Sequence, residues 1–177
     1  MLTVKKLFVL FSFLVVAAAA IFFIAAPTTA ECAPNCREKA GGHGTLIMNG
    51  VRRQFSFNAQ RNDDGTAKGH AVIHNPGFPP DPRFKGHIDI RCMEVVGNRA
   101  RVAGIVRKTN DPAFDDNTAV FEVYDNGNPG GDNADTISLV YFSPPNSPPP
   151  TPAYCQAFEN LPQEPIDNGN IKVDDCP

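Results

Sequence analysis

Apolar and polar positions alternate along most of this chain, and that period of two is the signature of half-buried β-strands. In residues 53–60, Phe55, Phe57 and Ala59 fall on one side, with Gln54, Ser56, Asn58 and Gln60 on the other. Residues 85–92 repeat the pattern, Ile88, Ile90 and Cys92 opposing His87, Asp89 and Arg91. In residues 99–107, Ala100, Val102 and Val106 oppose Arg99, Arg101 and Arg107. Further strands are expected at 45–49, 67–74, 118–125, 136–142 and 170–174, and no window of helical length carries a 3.6-residue period. Turn chemistry separates the runs. Asn49-Gly50 suits a two-residue hairpin, Asn62-Asp63-Asp64-Gly65 a slightly longer turn, and Gly97-Asn98 a tight turn needing positive φ. A hairpin closed at Gly97-Asn98 sets Glu94 opposite Arg101, Cys92 opposite Ala103 and Met93 opposite Val102. That register puts Val102 on the face opposite Ile90, so either both faces are covered or a bulge intervenes. The fold class expected is all-β: a small antiparallel β-sandwich or partly open β-barrel of eight strands in mostly meander order.

Composition agrees with a turn-rich β-domain. Of 177 residues 14 are Gly and 17 are Pro, and there is no Trp, which argues against a helical bundle. Two proline-rich loops, residues 75–82 and 143–152, interrupt the meander, and neither can be an inner strand. The chain beyond residue 152 is too short for its own core. Residues 43–177 therefore read as one β-domain, with a cysteine-containing segment, residues 31–42, before it.

Residues 1–30 have the layout of a secretory signal. Lys5 and Lys6 precede an apolar run from residue 7 to residue 26 broken only by Ser12, and Thr28-Thr29-Ala30 supplies small residues for cleavage after Ala30. The run is also long enough to span a bilayer, so a retained membrane anchor is the alternative. Glu31, where a small residue belongs, speaks against lipid attachment at Cys32. With the signal removed, Lys and Arg fall from 16 to 14 against 19 Asp and Glu, a net charge of −5. An acidic balance makes nucleic acid a poor partner, and no stable membrane insertion is expected after cleavage. The remaining partners are a cell-surface component or another protein.

All five cysteines lie beyond Ala30, in a chain addressed to an oxidising compartment where disulfides are the default. Two pairs from five cysteines leave fifteen arrangements and one thiol over. The preferred bridge is Cys92 to Cys155, because both sit in or beside β-like apolar stretches; Cys32 and Cys36 can form a local loop, or either can reach Cys176. Zinc is the other reading of Cys32 and Cys36, but no second close Cys or His pair follows.

Candidate chemistry is sparse. The loop from Asp125 to Asp135 offers Asp125, Asn126, Asn128, Asp132 and Asp135 as oxygen donors on a Gly-rich backbone, as calcium requires. Its spacing is not that of an EF-hand, and the same residue types serve any hairpin loop. No other cofactor is indicated. His70 and His74 share a strand face about 13 Å apart, too far for one metal, and His87 adds one nearby ligand at most. His43 completes the set, and all four read as surface histidines. Ser56, Ser138, Ser143 and Ser147 lie in no strand-turn-helix elbow, and Asp63-Asp64 and Asp115-Asp116 read as charged turns. No catalytic residue is assigned.

The order of residues 123–132, of Asp135-Thr136-Ile137-Ser138-Leu139 and of residues 168–173 resembles the post-COAP domain. Phe55 to Asn58, Gly69-His70 and Gly97-Asn98 extend the resemblance over roughly residues 43–174. It implies a β-rich module of bacterial secreted and cell-surface proteins, with no assigned enzymatic activity and no catalytic residues to carry over. The chain departs from that pattern in its two proline-rich loops, its five cysteines and its single copy. The function expected is a secreted or cell-surface, non-enzymatic structural or binding module. The alternatives are an extracellular carbohydrate-active hydrolase using loop carboxylates, and a calcium-stabilised surface module.

Overall fold

The computed structural model describes residues 36–77, 83–127, 133–144, 146–157 and 160–176. The expected signal segment and Cys32, Asn128 and Asp132 lie outside the described residues. The strands are β1 (Lys39–Met48), β2 (Val51–Arg61), β3 (Ala67–Asn75), β4 (Phe84–Val96), β5 (Arg99–Thr109), β6 (Thr118–Tyr124), β7 (Thr136–Ser138), β8 (Tyr141–Phe142), β9 (Gln163–Pro165) and β10 (Asn168–Asp174). A short helix, α1 (Pro152–Gln156), follows the second proline-rich loop. All ten strands belong to one antiparallel sheet in the order β10-β1-β2-β3-β4-β5-β6-β7-β9, with β8 also on β6. The sheet curls into a half-barrel, which selects the partly open barrel over the sandwich.

Local chemistry accounts for the path. Asn49 and Gly50 take φ of 52° and 75°, the pair of positive values that matches a two-residue turn to the twist of β1 and β2. Inward side chains of β1 to β6 meet in one core that includes Phe55, Phe57, Ile88, Val102 and Phe121, with Ile171 of β10 closing it. Phe57 and Phe121 stack edge to face at 5.3 Å. Burying each such side chain contributes roughly 1.5–3 kcal/mol. On β1 the inward positions between Ala40 and Leu46 are Gly42 and Gly44. A Cβ on Gly42 would lie 2.7 Å from the Asn170 carbonyl oxygen, so glycine lets β10 fold tightly over the core.

The β4–β5 hairpin has the expected register, Glu94 opposite Arg101, Met93 opposite Val102 and Cys92 opposite Ala103. Its face assignment needs one correction. The register shifts between Ile90 and Cys92, so Ile90 stays in the core while Cys92 turns to the outer face. There it packs with Ala103, Val120 and Cys155. Both alternatives raised by the sequence hold, because a bulge intervenes and both faces are covered. Residues 136–142 are also not one strand: pairing lapses at Leu139 and Val140, leaving β7 and β8. The strand β9 and helix α1 are too short to print a period.

Two disulfides join distant elements. Cys92–Cys155 holds α1 against the outer face of β4 and β5, and Cys36–Cys176 ties the approach to β1 to the end of β10. The preferred bridge is thus present, and Cys36, rather than Cys32, pairs with Cys176.

Candidate functional site

The aspartates proposed as calcium ligands sit where β10 returns to β6 and β7. Asp135 is fully buried; its Oδ2 accepts the Ile171 N–H at 2.8 Å and its Oδ1 accepts the Asn126 N–H at 2.8 Å. Asp125 Oδ2 accepts the Val173 N–H at 3.1 Å, and its Oδ1 accepts the Gly127 N–H at 3.0 Å. Asn126 Nδ2 donates to the Ala134 carbonyl at 2.8 Å. Ile171 and Val173 are on β10, whose other edge pairs with β1, so two carboxylates take the place of a neighbouring strand along its free edge. Charge-assisted bonds of this kind are about twice as strong as neutral ones. Among the described residues no group of three or more His, Cys, Asp or Glu is arranged to hold a metal ion.

At the other end of β1 the curled sheet stays open. β10 stops pairing at Thr45, whereas β1 runs on to Met48, and the unpaired Leu139-Val140 segment leaves a matching gap beside β7. The result is a cleft of about 410 Å³. Its walls are mostly apolar, including Leu46, Met48, Phe55, Ile73, Val140 and Phe142, and Asn49, Arg53, Asn75 and Ser138 stand among them as polar residues. Phe84, Phe114 and Phe142 form a mutually packed trio at its base, with centroids 4.7 to 5.3 Å apart. Alternation marks Phe55 as inward, but the cleft exists only because two sequentially remote segments both stop pairing. No local signal announces that.

The outer face of β5 and β6, roofed by α1 and the segment beyond it, holds a buried ion cluster. Glu122 is fully buried, with Arg99 Nη2 at 2.6 Å from its Oε2 and Arg101 Nη1 at 3.2 Å from its Oε1. The Leu161 N–H also donates to Glu122, and the Tyr154 ring lies over the Arg101 guanidinium at 5.3 Å. Glu94, opposite Arg101, pairs instead with Arg61 at 3.2 Å. Burial pushes the Glu94 carboxyl above its usual range against the pull of Arg61, with Glu38 and Asp175 adding to the rise. The hydrogen bond to Glu38 raises the Arg61 guanidinium in turn.

The remaining candidates are dispersed. Asp64 accepts from the Thr66 hydroxyl and amide, which lowers its carboxyl below the ordinary value. Asp116 pairs with Arg107, and the Ser138 hydroxyl accepts from the Glu122 amide. All four histidines stand on outward positions of β1, β3 and β4. No family model, no characterised protein and no solved structure matches the chain, so the resemblance to the post-COAP domain finds no support there.

Proposed function

We propose that this chain is an exported, non-enzymatic β-domain that binds a small, mostly apolar molecule in the open mouth of its sheet. The observation that carries this reading is the cleft between the unpaired end of β1 and Leu139-Val140. Its volume of about 410 Å³ lies within the roughly 300–1,000 Å³ typical of ligand pockets. An apolar wall with a few polar groups suits a ligand with a hydrocarbon body and one hydrogen-bonding end. Export is supported by the two disulfides, which persist in oxidising compartments, and by the basic-then-apolar N-terminus.

Titration of the oxidised protein with the neutral apolar fluorophore N-phenyl-1-naphthylamine tests the proposal. Saturable enhancement is expected, and Val140→Trp, which fills the cleft from a half-exposed position, should weaken it about tenfold, equivalent to ~1.4 kcal/mol. The far-ultraviolet circular dichroism of the variant should match that of the parent. Fluorescence that never saturates, or that Val140→Trp leaves unchanged, refutes the assignment.

A further inference from the structure

The half of the sheet that α1 leaves uncovered has its own character, independent of the cleft. Cross-strand partners share a face, so the registers of β10, β1, β2, β3, β4 and β5 place their outward side chains in four rows. The first runs Asp174, Lys39, Gln60, Lys68, and the second Lys172, Gly41, Asn58, His70, Asp89. The third runs Asn170, His43, Ser56, Val72, His87, Lys108. The fourth runs Asn168, Thr45, Gln54, His74, Lys85. These rows hold five lysines and all four histidines of the chain against two aspartates. Asp89 is already matched by Arg91 at 3.7 Å and Arg107 at 3.6 Å, and Asp174 by Lys172 at 3.4 Å. A surplus of three positive charges is thus concentrated on one face of a chain whose formal net charge is −3.

The face also has relief. Near one end, Lys39, Lys68 and Lys172, with Asp174 the one carboxylate beside them, surround a depression of about 550 Å³ over Gly41 and Gly69. Near the other, His43, His74 and Lys85 border one of about 610 Å³ over Gly44 and Gly169. Between the cations stand short neutral side chains, among them Thr45, Ser56, Asn58 and Asn170, that donate and accept hydrogen bonds. None of the row positions is Phe, Tyr or Trp, and Val72 is their one apolar side chain, with the buried Ile105 of β5 next in line beyond Asp89. Single-stranded nucleic acid is gripped through aromatic stacking, and an interfacial membrane contact through inserted apolar groups. A polymer bearing both hydroxyls and negative charges uses what this face offers.

We propose that the outer face of β10, β1, β2, β3 and β4, with Lys108 of β5 at its border, is a docking surface for a linear acidic polysaccharide, with one charged segment in each depression.

Binding of the oxidised full chain to dextran sulfate and polygalacturonate, by calorimetry at low salt, is the test, with neutral dextran as control. Both acidic polymers should bind and dextran should not. Affinity should fall steeply with salt. Lys39→Glu with Lys172→Glu, and separately Lys85→Glu with Lys108→Glu, should each weaken binding about tenfold or more. These side chains are exposed, so melting temperatures should be nearly unchanged. Tighter binding to single-stranded DNA or to phosphatidylglycerol vesicles than to either polysaccharide overturns the proposal. So does charge-reversed protein that binds as well as the parent. Loss of the apolar fluorophore site leaves this inference standing, because the cleft shares only Gln54 and Phe55 with the edge of one depression.

Discussion

Replacing Asp135 by alanine strips the acceptor from the buried Ile171 amide and from the half-buried Asn126 amide in one step. Each bond is made to a charged group, and leaving its donor unpaired costs the desolvation of that donor. Asp135→Ala should lower unfolding stability by about 3 kcal/mol, and Asp135→Asn, which keeps one acceptor, by less. Urea midpoints measured side by side would decide, and equal losses for the two variants would contradict the argument. Glu94 carries the pH dependence. Burial raises its folded value above the ordinary 4.5, so the native chain holds that proton more tightly than the unfolded one. Its contribution is therefore complete below 4.5 and declines as pH rises through the raised value. Glu94→Gln should flatten this part of the stability profile in thermal melts taken from about pH 4 to 7, whereas an unchanged slope would assign the dependence elsewhere.

At the scale of elements, the helix α1 survives because it is stapled. Five residues of helix cannot persist alone in water, and Cys155 fastens these to β4 through Cys92. Closing that 63-residue span is worth about 4 kcal/mol in the chain-entropy account. Cys92→Ser with Cys155→Ser should release the segment around α1 to limited proteolysis before any strand is cut, seen as early cleavage near Tyr154 by chymotrypsin. Simultaneous loss of all fragments would mean that the roof and sheet unfold together. The pair in this bridge is the one the sequence favours among fifteen arrangements, and the β4–β5 register is legible because Gly97 and Asn98 pin the turn. The face of Cys92 is not, since one extra residue at Arg91 reverses the alternation and nothing local marks it. The Asp125 and Asp135 side chains were conspicuous as oxygen donors, yet their acceptor role depends on Val173 and Ile171, 48 and 36 residues away. Side-chain chemistry is local information, and its partner is not.

For the molecule as a whole, curling one sheet creates two unlike surfaces. The roofed half hides the Glu122 cluster, and the bare half presents lysine, histidine and small polar groups. An average charge conceals that separation, which is why composition alone pointed away from anionic partners. The strand order makes it visible. The Cys36–Cys176 bond spans 140 residues and joins the approach to β1 to the end of its neighbour β10, so it restrains the coil more than a short loop would, by about 5 kcal/mol on the same entropy scale. The aspartate pair beside β10 has one more effect. A strand with bare outward amides is a template on which other chains can grow, and natural sheets protect such margins. Here the donors of Ile171 and Val173 are already occupied by Asp135 and Asp125. The same two carboxylates that finish the half-barrel therefore guard this margin against edge-to-edge self-assembly.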